Sequence, residues 1–313
     1  MSASDPTVTI AIPVLDEEKH LPACLDALRL QTYPAIVEVL VIDGGSRDAT
    51  RMIAAGRGDV RLLDNPRRVQ AAALNRALAE ARGEVFVRVD ARCIVAPDYV
   101  QRCVEALVRT RAAMVGGAQR PFATHWVHRG IAAAMRSRLG GGVAAYRQPD
   151  RSGWVDTVYL GAFPTALGRR AGGYDESLAV NEDAELAIRM RSLGGVWLDA
   201  SIRSEYVPRA SLLALARQFH AYGRYRAETV RRHPRSLAPR QLAAPFLVVG
   251  LLSPWRGPVA GLYLSTVAFG ALVEALQDPA AATAMLGALP VIHLAWGTGF
   301  LRGVTRQFTA RAR

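Results

Sequence analysis

Two hydrophobic patterns alternate along the first part of the chain. Residues 85–89 have apolar side chains at every second position, which is typical of a strand, whereas residues 21–28 have them at helical spacing. Residues 7–14 are a predicted strand by their β-branched content, and 37–42 form a continuous apolar strand that suggests burial on both sides. Residues 60–63 are a short predicted strand, and a helical pattern covers residues 69–82. This alternation predicts an α/β fold with a mostly parallel central sheet flanked by helices and right-handed crossovers, an architecture typical of nucleotide binding.

The pattern is less regular after residue 112. Residues 113–117 and 155–160 are predicted strands, and a helical pattern begins at Glu182. Residues 120–150 show no sustained period, so this segment is either a mobile loop over a site or a plain surface excursion. It contains His125 and His128 at a spacing that a metal site can use, but no third or fourth ligand is evident, which disfavours a metal there.

The last part of the chain is dominated by apolar residues with almost no charge. Residues 258–276 and 280–301 approach the ~20 residues of a membrane span. Residues 242–252 are too short to span and are expected either to lie in the membrane interface or to re-enter. Arginines precede and follow these stretches, and an acidic turn joins them. The positive-inside rule then predicts a two-span hairpin in the cell membrane with both ends and the catalytic domain cytoplasmic. A buried helical bundle or a dimer interface is the alternative.

Charge and cysteine content narrow the possible partners. The 313-residue chain has a formal net charge of +12, and Lys19 is its only lysine, so arginine supplies the excess. A basic surface suits nucleic acid, anionic lipid or phosphorylated substrates, but nothing resembles a nucleic-acid module, so we expect anionic membrane lipids and phosphates. The three cysteines lack metal-ligand spacing and are expected to be reduced. No cleaved signal peptide is expected.

Polar residues follow two of the predicted strands at the edge where ligands bind in open α/β sheets. Asp90 ends one strand, and its alternative role is that of a solvated turn residue. Asp43 ends another and is followed by Gly44 and Gly45, which permit close approach of a ligand. Asp43 can accept a hydrogen bond from a base N–H, and Ser46 can cap the next helix. No G-x-G-x-x-G occurs here, so this is not the dinucleotide fingerprint.

Four segments, in this order, carry a resemblance to a known family: IAIPVLDEE, VIDGGSRDAT, NPRRVQAAALNRAL and VRVDAR. Together they resemble the N-terminal half of a family-2 glycosyltransferase with the GT-A fold, which implies a nucleotide-sugar donor. Asp90 matches the first carboxylate of the family's Asp-x-Asp element. By position, the resemblance implies donor contacts from Pro13, Asp16, Glu17, Asp43, Gly44, Ser46, Arg67, Arg68, Asn75, Asp90, Ala91 and Arg92.

The chain departs from this family at Arg92, where relatives commonly have a second Asp that holds a divalent cation. Hard cations prefer oxygen ligands, and an arginine has none to offer. Either Arg92 pairs directly with a phosphate, or it turns away while Asp90 and the donor hold the ion. The resemblance therefore implies Mg²⁺ or Mn²⁺ as cofactor, with Asp90 as its protein ligand.

The segments GAF, AGGYDE and NEDAELAIRM resemble the acceptor-side motif of inverting members of the family. The resemblance implies that Asp183 is the general base and that Glu182 orients the acceptor. Inversion needs one base opposite the leaving diphosphate, which itself requires charge neutralisation and no protonation. The alternative is that both carboxylates only cap a helix and offset its dipole.

Residues 206–224 correspond to an element that closes over the diphosphate in relatives, and they resemble the succinoglycan-type exopolysaccharide subgroup. The Trp of the processive Q-x-x-R-W element is missing, which favours transfer of a single sugar. An amphipathic basic helix at a membrane surface is the alternative and is compatible with that role. The acceptor-side and closure residues are predicted to be Gly161, Tyr174, Arg209, Gln218, Tyr222 and Arg224.

The combined prediction is a membrane-attached inverting glycosyltransferase that uses a nucleotide sugar, most simply a UDP-sugar, and a lipid-linked saccharide or polysaccharide acceptor. Its GT-A domain is predicted to span residues 1–235, with a donor half at about 7–112 and an acceptor half at about 113–235. Membrane-associated helices follow at 236–313. The main rival is a non-catalytic nucleotide-sugar-binding membrane subunit, prompted by Arg92. A nucleotidyltransferase would want a glycine-rich basic loop after the first strand, where this chain has PVLDEE.

Overall fold

The computed structural model describes residues 5–122, 125–140, 144–207 and 211–311. The chain forms two compact units, one of Met1–Arg120 with Gln148–Tyr206 and the other of Pro121–Arg147 with Val207–Arg313. These units do not coincide with the predicted boundary at residue 235, because helices from both sides of that residue pack together in the second unit. The functional division into donor, acceptor and membrane parts stays a prediction.

The first unit begins with four parallel strands, as the alternating patterns predict. Six of the seven residues of the first strand are buried, because helices cover both faces of a parallel sheet. The elements of this part are β1 (Val8–Val14), α1 (Leu21–Arg29), β2 (Ile36–Asp43), α2 (Thr50–Ala55), β3 (Arg61–Asp64), α3 (Gln70–Glu80) and β4 (Val85–Arg88).

The following elements extend the sheet with antiparallel pairs. They are β5 (Cys93–Val95), α4 (Tyr99–Thr110), β6 (Met114–Pro121), α5 (Trp126–Arg136), β7 (Gly153–Trp154), β8 (Tyr159–Pro164), α6 (Thr165–Arg170), α7 (Glu182–Leu193) and β9 (Val196–Tyr206), of which α5 belongs to the second unit. Within the described ranges, the sheet order is β3-β2-β1-β4-β8-β6-β9-β5, with β7 beside β9. The predicted parallel arrangement thus applies to the first four strands, where regular strand–helix alternation imposes crossovers.

Two local predictions differ from the structure. The strand predicted at 155–160 instead runs over Tyr159–Pro164, where residues 160–163 are all buried and therefore show no alternation. Helix α5 lies in the segment without a sustained period, because residues 130–135 are buried without interruption. His125 caps this helix by accepting a hydrogen bond from Val127 N at 3.4 Å.

The second unit is helical in the part of the chain that the structure describes. After α5 it contains α8 (Leu212–Arg232), α9 (Ala243–Leu252), α10 (Arg256–Ala275) and α11 (Pro279–Arg311). Helix α11 packs against all four of the others. The core between them includes Ile131, Phe219, Met285 and Ile292.

Two helices are long and apolar enough to cross a membrane, by length and composition alone: α10 and the Pro279–Thr305 part of α11. Their apolar windows have mean hydropathies of 1.4 and 1.5. Only 11% of the α10 window is buried within the protein, against 44% for α11, so α10 is largely uncovered. These helices agree with the predicted C-terminal hydrophobic region.

Candidate active site

The loops after β1 and β2 are tied together at the carboxyl edge of the parallel strands. Asp16, which has a φ of 54°, accepts a hydrogen bond from Arg47 N at 2.7 Å, and its own N–H donates to Ser46 Oγ at 3.0 Å. Gly44 N donates to Val14 O at 2.8 Å. The structure therefore brings together residues that the sequence assigned to the nucleotide pocket.

Asp43 is buried and organises its own loop. Its carboxylate accepts hydrogen bonds from Ser46 Oγ at 2.6 Å, Ser46 N at 3.1 Å and Gly45 N at 3.2 Å. Pro13 lies beside this point, in β1 opposite Ile42. The predicted contact between Asp43 and a base stays a prediction, while its role in shaping the loop is visible.

An ion pair joins the loop after β4 to the loop after β1. Arg92 Nε donates to Glu17 Oε1 at 2.8 Å, and Glu17 N donates to Thr50 Oγ1 at 2.7 Å. The other oxygen of Glu17, Oε2, is buried without a hydrogen-bond partner among the described residues. Ala91 is buried beside Arg92. The arginine at the position of the second metal-binding Asp is thus paired with a carboxylate from the β1–α1 loop.

Arg88 is the central charged residue of the site, and sequence reasoning missed it. Its Nε donates to Asp90 Oδ1 at 2.8 Å and its Nη2 to Asp90 Oδ2 at 3.3 Å, while its Nη1 donates to Glu182 Oε1 at 3.0 Å. Gln70 Nε2 adds a weak contact to Asp90 Oδ1 at 3.4 Å. A charge inside the apolar strand VFVRVD was the available signal, because a buried arginine requires partners.

Burial and charge perturb the pKa values of this network. Burial raises the pKa of Glu182 from its ordinary 4.5 to about 7, although Arg88 opposes the shift. Burial would lower the pKa of Arg88, but the carboxylates of Asp90, Glu182 and Asp183 raise it well above its ordinary value. Arg88 therefore remains charged. Burial also raises the pKa of the Tyr174 hydroxyl, which keeps it neutral.

Asp183 lies in the first turn of α7, where the helix dipole favours negative charge. The preceding Asn181 has a left-handed φ of 66°, which sets the direction in which the helix begins. Asp183 Oδ1 accepts a hydrogen bond from Ala184 N at 2.7 Å, and the residue is half-buried. Glu182 beside it is buried and faces Arg88, so the two neighbouring carboxylates have different environments.

Asn75 joins α3 to the loop before α7. Its Nδ2 donates to Tyr174 O and to Glu176 Oε1, each at 2.8 Å, and its Oδ1 accepts from Tyr174 N at 2.7 Å. Gly173 is required here, since it has a φ of +67° and a Cβ would lie 2.4 Å from Asn75 Oδ1. Arg67 forms an ion pair with Glu176. Two predicted donor contacts, Asn75 and Arg67, thus hold an acceptor-side loop.

The other residues predicted for donor binding, acceptor binding and closure are spread over β8, α8 and the loop after β3. Arg68 has a φ of 57°, and its Nη1 would lie 3.8 Å from a Cβ on Gly45. Gly161 lies inside β8, where a Cβ would approach Met114 Sδ to 3.0 Å. Within the second unit, Gln218, Tyr222 and Arg224 lie on α8, and Gln218 Nε2 donates to Tyr222 Oη at 2.9 Å. Arg209 lies outside the described residues.

The protein offers a divalent cation few ligands of its own. In the described ranges, no group of three or more His, Cys, Asp or Glu side chains is arranged to hold a metal ion. A carboxylate has about four acceptor positions, and Arg88 and Gln70 engage at least three of those on Asp90. This donor set is compatible with a cation that one carboxylate and the donor's phosphates hold together, as is common for Mg²⁺.

The architecture and the site define a class of protein. The parallel strands end at an edge that carries several carboxylates, as in nucleotide-binding folds. The antiparallel extension brings the acidic start of α7 to Arg88, the buried arginine that also contacts Asp90. This is the organisation of GT-A glycosyltransferases. Residues 9–167 match the family model described as Glycosyl transferase family 2. The chain belongs to glycosyltransferase family 2.

Individual relatives agree with this assignment. The chain is 34% identical over 321 aligned residues to the succinoglycan biosynthesis protein ExoA of Rhizobium meliloti (strain 1021), covering 96% of this chain and 97% of that protein. Its fold is similar to that of the mannosyltransferase PcManGT from Pyrobaculum calidifontis in complex with GDP-Man and Mn²⁺, with a TM-score of 0.60, 22% identity and coverage of 95% and 88%. TarS 1–349 of S. aureus gives a TM-score of 0.51 at 14% identity, covering 96% and 92%. The GT-A fold and the glycosyltransferase activity predicted from the sequence are confirmed.

Proposed function

We propose that this glycosyltransferase inverts the anomeric carbon while it moves one sugar from a nucleoside-diphosphate sugar, in the first instance a UDP-sugar. The observation that carries the proposal is the Arg88 network. One guanidinium contacts Asp90 at the end of β4 and Glu182 at the start of α7. The donor-side carboxylate and the helix that carries Asp183 therefore lie within the reach of a single side chain.

Asp183 is the proposed general base. It accepts the proton of the acceptor hydroxyl as that oxygen bonds to the anomeric carbon, and the bond from this carbon to the diphosphate breaks with its electron pair leaving on the diphosphate. Its half-buried position leaves it accessible to an acceptor. Glu182 is buried against Arg88 and is proposed to orient the acceptor, as the sequence predicts, from a position fixed by this ion pair.

Donor binding is proposed at the loops after β1, β2 and β3. The left-handed backbone of Asp16 and Arg68 shows that these loops adopt conformations that most residues avoid, as is common at functional sites. Asp90 would hold Mg²⁺ or Mn²⁺ together with the donor diphosphate. When bound, the cation neutralises the negative charge that develops on the leaving group.

The proposed acceptor is a lipid-linked saccharide or a growing polysaccharide at the cytoplasmic face of the cell membrane. Similarity to a succinoglycan biosynthesis protein over almost the whole chain supports a role in exopolysaccharide synthesis. The apolar helices α10 and α11 support attachment to a membrane, and the net charge of +12 favours anionic lipids there. Closure over the diphosphate is assigned to Arg209, Gln218, Tyr222 and Arg224.

Donor binding by the detergent-purified full chain is the direct test. UDP, GDP and their common sugars would be titrated with Mn²⁺, with Mg²⁺ and with EDTA. We expect saturable binding of one nucleotide class and at least a tenfold weaker Kd in EDTA. Binding that is unchanged in EDTA would remove the metal from the proposal. No binding under any condition would favour the non-catalytic subunit instead.

A further inference from the structure

Helices α9 and α10 carry a row of exposed apolar side chains that no described part of the chain covers. The most exposed among them are more than half accessible: Phe246, Val249, Leu252, Trp255, Leu262, Leu264, Phe269, Leu272 and Leu276. Apolar surface of this extent normally contacts a membrane or another protein. Arginines flank it in the sequence at 231, 232, 235, 240 and 256, which suits anionic phospholipid headgroups.

The turn between α10 and α11 is held by α5. Arg129 Nε donates to Asp278 Oδ2 at 2.8 Å, and Arg136 Nη2 lies 3.8 Å from Glu274 Oε1. Helix α5 belongs to the segment 121–147, which leaves the first unit and returns to it after 27 residues. Two membrane crossings need about 40 apolar residues. The segment 121–147 and the turn bound to it therefore stay on the same side of the bilayer as the first unit.

Helix α11 lies closely along α8. A Cβ on Gly299 would lie 2.1 Å from His220 O, and one on Gly223 would lie 2.1 Å from Trp296 O. Helix α8 also carries charges at 217, 224, 226 and 228. A helix with this many charges does not enter the hydrocarbon core unless each charge is paired or faces water. A crossing by α11 would draw α8 into the bilayer with it.

Among the described residues before α10, no helix is long and apolar enough to cross a membrane. Between residues 207 and 255 the described apolar helix is α9, which has 10 residues, or 14 with the turn before it. A span needs about 20. The described part of the chain does not cross the bilayer before α10, so the start of α10 lies on the same side as the first unit. The end of α10 is held on that side by α5. Helix α10 therefore does not cross either.

We infer that α9 and α10 bind in the plane of one membrane leaflet that contains anionic phospholipid, and that no helix of the second unit spans the bilayer. This arrangement differs from the two-span hairpin predicted from the sequence, and it rests on the proposed membrane location. It keeps α8, with its predicted diphosphate-closing residues, at the surface where a lipid-linked acceptor presents its saccharide.

Single cysteines in the full chain would test the topology. The native cysteines are buried, so a membrane-impermeant maleimide would report on cysteines introduced at exposed positions: Gln277→Cys in the turn, Arg302→Cys near the end of α11 and Met52→Cys on the catalytic unit. We expect all three to react in inverted vesicles and none in right-side-out vesicles. Reaction of either C-terminal cysteine on the face opposite to Met52→Cys would show a spanning helix and overturn the inference. A full chain found in the soluble fraction would overturn the membrane location itself.

Binding to vesicles would test the lipid surface. Leu272→Asp places a charge on the exposed face of α10, and Val108→Asp is a matched control at an exposed position of α4. With vesicles that contain phosphatidylglycerol, we expect Leu272→Asp to weaken binding at least tenfold and Val108→Asp to have little effect. Equal effects of the two variants, or equal binding to uncharged vesicles, would contradict an anionic leaflet as the partner.

Discussion

At the scale of single residues, the buried charge of Arg88 matters most. Its guanidinium joins two carboxylates, and removal of one member of a buried ion network leaves uncompensated charge. We expect Arg88→Met to lower the free energy of unfolding by about 3–5 kcal/mol, measured by chemical denaturation in detergent. Arg88→Lys keeps the positive charge and should recover part of this loss. A lysine cannot contact Asp90 and Glu182 at once as the guanidinium does, so this variant should still bind the donor more weakly.

Arg102 provides the control for this prediction. It forms surface ion pairs with Asp98 and Glu105, and all three side chains are substantially exposed. Arg102→Met should change stability by about 0–1 kcal/mol, because exposed pairs contribute little. Equal stability of the two methionine variants would show that the Arg88 network contributes no more than a surface pair.

A substitution at Asp183 distinguishes the transfer step from donor binding. Asp183→Asn keeps the size of the side chain and removes the base, so we expect transfer to fall about 10²–10⁴-fold while the Kd for the donor nucleotide stays within twofold. Single-turnover transfer and nucleotide titration would measure the two effects. Asp156→Asn, at an exposed pair with Arg191, should leave both unchanged. Near-normal turnover of Asp183→Asn would remove Asp183 from this role.

Glu182 should make stability depend on pH. Its pKa is raised in the folded protein by burial, so between pH 4.5 and about 7 the folded state binds more protons than the unfolded state. The stability associated with its proton is fully present below pH 4.5 and is lost as pH rises towards 7. Chemical denaturation at several pH values would give the free energy of unfolding of the unmodified protein and of Glu182→Gln. We expect the value for the unmodified protein to fall relative to that of the variant as pH rises from 4.5 to about 7. Parallel curves would contradict the raised pKa.

At the scale of elements, glycines set the distance between α8 and α11. Gly299→Ala would place a Cβ against the backbone of His220, and we expect a loss of about 1–3 kcal/mol from overpacking. Gly261→Ala on α10 meets no atom within 4 Å and should be neutral or stabilising by up to about 1 kcal/mol. Thermal unfolding in detergent would compare them, and similar midpoints would show that the two helices are not tightly packed.

At the scale of the whole molecule, the two compact units determine where the chain can be cut. Deletion from residue 242 onward would remove α11 and expose Ile131, Leu215 and Phe219, which lie in one core with it. We expect that product to aggregate. A chain that ends at Tyr206, with residues 121–147 replaced by a short Gly/Ser linker, keeps the core of the first unit. It should remain soluble and bind nucleotide without transferring sugar, as size-exclusion chromatography and titration would show.

The outcome for the truncations can contradict this division. A soluble, nucleotide-binding product of the deletion from residue 242 would favour the boundary at 235 that the sequence predicts. Aggregation of the linker-joined first unit would show that its core needs the helices of the second.

Local patterns predicted the parallel part of the first unit. Strands and helices between Val8 and Arg88 were predictable because short apolar or β-branched runs and helical apolar faces are separated there by polar or glycine-containing segments. The predictions differed at β8, which lies at Tyr159–Pro164 and not at 155–160, and at α5, where residues 130–135 are buried without interruption and no periodic face marks the helix. The division into two compact units could not be seen either, since the packing of α5 and α8 on α11 joins segments distant in sequence.

The sequence by itself determined the family, the order of strands and helices in the donor half, and the residue types at the strand ends, because these are local properties of short segments. Only the tertiary structure decided which charges meet. Arg88 and Glu182 are 94 residues apart, and Arg92 and Glu17 are 75 apart. Pairing at such distances depends on how the sheet closes, and a buried charge is tolerated only where that closure supplies its partner.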